Sequence, residues 1–206
     1  MGAYLLYGAT FAFAAAVQPG PLQAYLVSQA LARGWRRTLP AALSPLLSDG
    51  PVIVLVLLVL SRVPTRFEHV LRLAGAMFLF YLAFSAFRTW RDYRGLEPSL
   101  DGSARQSLFR ATVVNLLNPN PYLGWSLVLG PLLLKGWHEA PANGVALIAG
   151  FYGTMVVSLA VIIVVSAGAR RLGPRIARVL VGASALALAC FGVYELWSGL
   201  GGLLAR

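Results

Sequence analysis

Long apolar runs separated by short polar links make up nearly the whole chain. Six runs are each close to the roughly 20 residues that a helix needs to cross a bilayer core. They are Leu5–Leu31, Leu39–Leu60, Val70–Phe87, Ala111–Leu134, Ala142–Ala169 and Val179–Leu200. The pattern predicts an all-α polytopic membrane protein with six transmembrane helices.

The first and fourth of these runs are interrupted by paired prolines. Pro19-Gly20-Pro21 and Asn118-Pro119-Asn120-Pro121 lie 100 residues apart, so that Pro19 aligns with Pro119 and Pro21 with Pro121. Proline lacks a backbone N–H and its ring clashes with the preceding turn, so each helix should break there. Opened backbone at membrane depth survives only where it is buried in protein or lines a watery cavity. Matched interruptions in two halves are typical of transporters whose binding site lies at the breaks.

The longest polar stretch, from Arg88 to Arg110, divides the apolar runs into two groups of three. We expect a single transmembrane domain over 1–206, with repeat one over about 1–90, a linker over 91–108 and repeat two over about 109–206. Since three spans per half is an odd number, the second three-helix repeat would enter the membrane inverted. Ala3–Val17 resembles a signal-peptide core but lacks a basic leader segment, so we expect it to be a retained first span.

Composition agrees with a membrane protein. Hydrophobic residues make up 58% and charged residues 12%, against roughly 45–50% and 25% in soluble domains. The net charge of +10 would suggest nucleic acid in a soluble protein. Here the charges lie between apolar runs, so we expect the lipid bilayer, and no nucleic acid, as the partner. The single cysteine, Cys190, has no disulfide, zinc or redox counterpart.

The basic residues predict the orientation. The first, third and fifth links hold 12 of the 17, namely Arg33, Arg36, Arg37, Arg88, Arg91, Arg94, Arg105, Arg110, Arg170, Arg171, Arg175 and Arg178. On the other side, the second link holds Arg62, Arg66 and Arg72, the fourth link holds Lys135, and the C-terminus holds Arg206. Excess Lys and Arg marks the cytoplasmic side. We therefore expect a multi-pass protein of the cytoplasmic (inner) membrane with both termini outside.

The two breaks predict a site for a small zwitterion. A broken helix exposes carbonyls at the end of its first half and amides at the start of its second, with partial charges of opposite sign. Amides would bind a carboxylate, and carbonyls or an acidic side chain would bind an ammonium group. The expected substrate-binding residues are Gln18, Pro19, Gly20, Pro21, Gln23, Asn115, Asn118, Pro119, Asn120 and Pro121. The alternative is that the prolines only kink helices for packing.

Asp49 is the acidic residue that lies deepest within a span. A carboxylate at this depth costs about 2.5–3.5 kcal/mol on insertion scales, and intramembrane acids are functional by default. A carboxyl group that can be neutral in one step and charged in another can carry a proton, so we expect Asp49 to couple transport to protons. The competing interpretation is a structural hydrogen bond to backbone freed by Pro45 and Pro51.

Several motifs resemble the LysE/RhtB amino-acid exporter family over nearly the whole chain. They are Pro19-Gly20-Pro21, Gly34, Asp49, the run from Arg72 to Leu82, and Asn115-Leu116-Leu117-Asn118-Pro119. The resemblance implies a small inner-membrane exporter of amino acids or related metabolites, driven by the proton gradient. Two features depart from the family pattern. The usual lysine after Asn-Pro is Asn120 here, and several glycines usual around Thr38 to Pro45 are replaced.

Other functions remain open at this stage. A metal or inorganic-ion exporter could use Asp49, asparagines and carbonyls as hard oxygen ligands, although no Cys/His cluster or dedicated metal site stands out. A non-transporting structural membrane protein is the third class. No Ser-His-Asp, paired-carboxylate or P-loop pattern is present, so we expect no enzyme activity and no cofactor. The substrate, the coupling ion and a homodimeric state are not determined by the sequence.

The charge distribution predicts the result of reporter fusions at Gly102 and Arg206. The first fusion should report cytoplasm and the second the exterior, because the basic links must stay inside. Paired phosphatase and fluorescent-protein reporters distinguish the two sides. A cytoplasmic reading at Arg206 would overturn the orientation or the number of spans.

Overall fold

The computed structural model describes residues 1–18, 20–58, 65–91, 103–169 and 174–204, and the regular elements within them are all helical. The helices are α1 (Gly2–Val17), α2 (Pro21–Arg33), α3 (Trp35–Thr38), α4 (Ser44–Leu58), α5 (Thr65–Arg91), α6 (Ala104–Leu117), α7 (Pro119–Gly124), α8 (Gly130–Glu139), α9 (Pro141–Gly168) and α10 (Pro174–Leu204). A 3-10 segment, Leu39–Leu43, joins α3 to α4, and a π-helical segment, Trp125–Leu129, joins α7 to α8.

The first predicted span consists of two helices in the structure. α1 ends at Val17, and Gln18 is extended (φ −62°, ψ 126°). α2 begins at Pro21, after Gly20 has adopted an extended N-cap conformation. Proline suits the first helical position because that N–H would have no intrahelical partner. Pro19 lies outside the described residues. We call the segment between Val17 and Pro21 the first interruption.

The fourth predicted span is divided in a similar place. α6 ends at Leu117, Asn118 is extended (φ −80°, ψ 126°), and α7 begins at Pro119. We call Asn118 the second interruption. Further along, the π segment Trp125–Leu129 comes directly before Gly130-Pro131. Pro131 cannot donate to the carbonyl of Leu127 and its ring crowds that turn, which accounts for the locally widened helix.

α6 begins at Ala104, which is earlier than the predicted start at Ala111 and within the predicted linker 91–108. Ser103 caps the helix, since its hydroxyl accepts a hydrogen bond from the Gln106 N–H at 3.2 Å. Ser103 and Gln106 have the spacing of a capping box. Most of the predicted linker, residues 92–102, lies outside the described residues.

Two helices among the described residues are long and apolar enough to cross a membrane. They are α9, with mean hydropathy 2.4, and residues Arg178–Gly201 of α10, with mean hydropathy 1.9. Only 28% and 33% of the respective windows are buried inside the protein. Most of each apolar surface therefore faces outward, as on helices that contact lipid and unlike the core helices of a soluble protein.

α1 and α9 approach each other closely because glycines face backbone across their interface. A Cβ on Gly8 would overlap the Leu147 carbonyl oxygen, and one on Gly150 would overlap the Leu5 carbonyl oxygen. Gly8 belongs to a buried stripe of small residues with Ala12 and Ala16. Small residues of this kind let membrane helices pack backbone to backbone.

We predict opposite effects for the same substitution at two glycines of α9. Gly150→Ala should destabilise the fold by about 1–3 kcal/mol, because the added methyl group forces the two backbones apart. Gly153→Ala should be neutral or stabilising, since nothing lies within 4 Å of a Cβ at Gly153 and alanine is the better helix former. Size-exclusion profiles after heating in detergent measure both. Equal thermal stability of the two variants would contradict the close contact.

Candidate functional site

One cavity of about 140 Å³ lies where both interruptions meet. Eight of the predicted residues line it, from four different helices and both interruptions: Gln18, Gly20, Gln23, Asp49, Asn115, Asn118, Asn120 and Pro121. Three predicted residues, all prolines, remain. Pro19 is outside the described residues, Pro119 is buried at the start of α7, and Pro21 lines a second, smaller cavity together with Asn118 and Glu195. Whether the first cavity binds a solute stays a prediction.

Asp49 is 3% exposed and accepts hydrogen bonds from neutral groups. Asn115 donates to its Oδ1 at 3.0 Å and Trp125 Nε1 donates to its Oδ2 at 3.3 Å. The Ser48 hydroxyl lies 3.3 Å from the same Oδ1 and itself accepts from Asn115 at 2.6 Å. No ion pair to Asp49 occurs within the described residues. In the part of the chain that the structure describes, neutral hydrogen-bond donors hold the carboxyl group in place.

Trp125 reaches Asp49 from the π segment. Its indole is 2% exposed and packs edge-on against Phe151, with ring centroids 5.4 Å apart. A π turn changes the angular position of the residues in it relative to a regular helix, and such turns are frequent at functional sites. The sequence did not single out Trp125 or Ser48. The Gly130-Pro131 pair in the sequence could have predicted an irregular helix near Trp125, because proline disrupts the turn before it.

Gln23 satisfies the carbonyls that the first interruption exposes. Its side-chain Nε2 donates to the Ala15 and Ala16 carbonyls, both at 3.1 Å. Within the described residues, the backbone N–H groups of Leu22 and Gln23 have no hydrogen-bond partner, as expected in the first turn of a helix. The start of α2 thus brings two amides without a partner among the described residues beside the cavity.

The second interruption is closed by its own side chains. Asn118 Oδ1 accepts from the Asn120 N–H at 3.0 Å, and the Tyr122 hydroxyl donates to the Leu116 carbonyl at 3.0 Å. Pro119 and Pro121 have no N–H to offer. The two interruptions are therefore chemically different: the first leaves amide donors, whereas the second is largely self-capped.

The rest of the cavity wall is mainly apolar. It includes Phe11, Leu22, Leu129, Phe151 and Met155. Among the described lining residues, Asp49 is the one with an acidic or basic side chain. The described part of the cavity is thus lined by one carboxyl group, the first turns of α2 and α7, and an apolar wall.

An ion pair joins α5 to α10 inside the fold. Arg72 donates to Glu195 at 3.0 Å, and the two side chains are 15% and 8% exposed. The sequence analysis assigned Arg72 to the second link, which is wrong: the residue lies about two turns inside α5. Hydropathy did not predict this ion pair because Arg72 and Glu195 are each a single charged residue in an apolar run. The free-energy cost of burying either charge is offset only when the other lies beside it.

Comparison with known proteins identifies the family. No curated protein and no solved structure matches the chain significantly. A sequence profile described as LysE type translocator matches residues 13–199. The match covers both interruptions and the residues that line the cavity, apart from Phe11. The chain therefore belongs to the LysE type translocator family of membrane transporters.

Proposed function

We propose that the protein is a secondary active exporter of amino acids across the cytoplasmic membrane, coupled to protons. The observation that carries the proposal is the buried Asp49 carboxyl group, which borders a cavity and has hydrogen-bond donors but no ion-pair partner among the described residues. A charged acid within the membrane is costly unless a positive charge lies beside it, so a mobile cation would stabilise it. A substrate ammonium group and a proton can both fill that role.

An amino acid complements the two polar ends of the cavity. Its ammonium group would approach Asp49, and its carboxylate would approach the unpaired N–H groups of Leu22 and Gln23. Helix N-termini bind anions because their free amides and partial positive charge favour negative groups. Asn120 supports this reading, since the lysine usual in the family would itself supply a cation near Asp49.

The cavity walls favour a neutral amino acid with an apolar side chain. Phe11, Leu129, Phe151 and Met155 offer no hydrogen bonds to a polar side chain. The volume of about 140 Å³ is below the roughly 300–1,000 Å³ typical of drug-sized sites. These features support a single amino acid, rather than a peptide, as the substrate.

Proton coupling would follow from competition for one carboxyl group. A bound ammonium ion stabilises the charged form of Asp49, and a bound proton removes that charge. Substrate and proton would therefore exclude each other, so that binding one promotes release of the other. This competition is sufficient for exchange without a second acidic site.

The geometry around Asp49 argues against the metal-exporter alternative. A hard cation needs several oxygen ligands directed at it. The neighbours of Asp49 instead direct N–H groups of Asn115 and Trp125 at the carboxyl oxygens. No group of three or more potential ligating His, Cys, Asp or Glu residues occurs in the described part of the chain.

The packing pattern supports two inverted three-helix repeats. α5 packs along α10, which would pair the third helices of the two repeats. α1 packs on α9, and α6 packs on α4 and the 3-10 segment. In both cases the first half of an interrupted helix contacts the second helix of the other repeat. A pseudo-two-fold axis in the membrane plane would produce this reciprocal packing of the two repeats.

We predict that both charged ends of the substrate are required. In proteoliposomes, an apolar amino acid should compete with labelled substrate, whereas the matching amine and the matching 2-hydroxy acid should each compete roughly 10- to 150-fold more weakly. Loss of one charged hydrogen bond costs about 1.5–3 kcal/mol, which corresponds to that range. Equal competition by the amine would contradict carboxylate binding at α2.

We also predict that Asp49→Asn abolishes accumulation driven by a pH gradient. Asparagine keeps the size of the side chain but cannot exchange a proton, so the substrate should only equilibrate. Labelled amino-acid flux with and without a pH gradient measures the effect. If the variant still concentrates substrate in response to the gradient, Asp49 is structural.

Two measurements make this result interpretable. Glu139→Gln changes an exposed carboxylate at the end of α8 and should leave coupled flux intact. Asp49→Asn places an amide opposite at least one N–H donor, which costs about 1–3 kcal/mol. Its thermal stability should therefore be measured in the same detergent, and a folded but uncoupled protein is the expected result.

A further inference from the structure

A large apolar groove runs along the outer face of α5 and α10. Its volume is about 650 Å³, within the roughly 300–1,000 Å³ of specific small-molecule sites. Its described lining includes the small residues Gly182, Ala185 and Ala189 and the aromatic residues Phe84 and Trp90. None of the described lining residues is charged. The groove therefore suits a hydrocarbon chain.

Two arginines lie on the aromatic walls at one end of the groove. The Arg88 guanidinium carbon is 4.7 Å from the Phe84 ring centroid, and that of Arg178 is 5.5 Å from the Trp90 ring centroid. Stacking on a ring holds a guanidinium in place while its N–H edge remains free for a carboxylate or phosphate. Neither arginine forms an ion pair with a carboxylate of the described residues.

The two arginines lie at the same end of the helix pair because α5 and α10 are antiparallel. Trp90 lies over Gly182 and Leu73 over Gly199, so the end of α5 meets the start of α10. This end continues into the third and fifth links, which carry most of the basic residues. Excess basic residues mark the cytoplasmic side, where anionic lipid headgroups produce a negative surface.

We propose that this groove is a specific binding site for an anionic phospholipid of the cytoplasmic leaflet. One acyl chain lies against Gly182, Ala185 and Ala189, and the phosphate lies between Arg88 and Arg178. A symmetric second copy of this chain fits the charge less well. An isologous contact would bring the same two arginines of each copy toward each other. The phosphate of an anionic lipid instead provides a negative charge for Arg88 and Arg178.

Trp90 provides a direct readout because bromine atoms on an acyl chain quench a nearby indole. The full-length protein is reconstituted with phosphatidylglycerol or phosphatidylcholine that carry the same dibrominated chains. The difference between wild type and Trp90→Phe isolates the Trp90 signal from the other four tryptophans. We expect half-maximal quenching at a roughly tenfold lower fraction of phosphatidylglycerol than of phosphatidylcholine.

The variants separate headgroup recognition from general lipid contact. The double variant Arg88→Gln/Arg178→Gln should lose the preference for phosphatidylglycerol. Arg36→Gln is the matched control, since Arg36 stacks on Trp35 at 5.3 Å and lies outside the groove; it should keep the preference. Should the double variant fold poorly, raising the salt concentration of the wild type should reduce the preference instead.

Three outcomes would overturn the proposal. Equal quenching by the two lipids would mean ordinary contact with bulk lipid. An unchanged preference in the double variant and in high salt would place the headgroup elsewhere. Ala189→Phe fills part of the groove without adding an indole and should reduce Trp90 quenching. If it instead converts a dimer to a monomer and leaves the lipid preference unchanged, the face is an interface between two copies.

Discussion

Backbone groups inside the hydrocarbon core must find their hydrogen-bond partners within the protein, and the arrangement around both interruptions follows from that constraint. Gln23 turns back to serve the Ala15 and Ala16 carbonyls, and Asn118 caps the start of α7. The Leu22 and Gln23 amides at the start of α2 have no partner among the described residues and lie beside the cavity. In the proposed function they bind the carboxylate of the substrate.

The two halves contribute different chemistry to the same cavity. The first half supplies Asp49 and the α2 N-terminus, and the second supplies the side chains that hold Asp49, chiefly Asn115 and Trp125. Neither half would form the site alone. A relative movement of the halves would therefore alter the hydrogen bonds of Asp49, which would link alternating access to the proposed coupling residue.

Hydropathy and the paired prolines were sufficient to predict the helical class, and they singled out eight of the described residues that line the cavity. They could not predict Trp125, because its contact with Asp49 depends on a π turn whose cause, Pro131, acts through local crowding. They also assigned Arg72 to a link, because a single arginine beside an apolar run usually marks the end of a span. Its partner Glu195 is distant in sequence and is visible only in the structure. Gly8 and Gly150 were missed for a related reason: close backbone approach depends on which helices meet, and no local pattern determines that.

Proton release on substrate binding tests the central claim most directly. Purified protein in weakly buffered detergent, with a pH indicator, is titrated with an apolar amino acid across a series of pH values. If ammonium and proton compete for Asp49, the wild type should release up to about one proton per chain, most where the free carboxyl group is still protonated. Asp49→Asn should release none. Undiminished release from that variant, or binding by the wild type without any proton release across the series, would contradict the account.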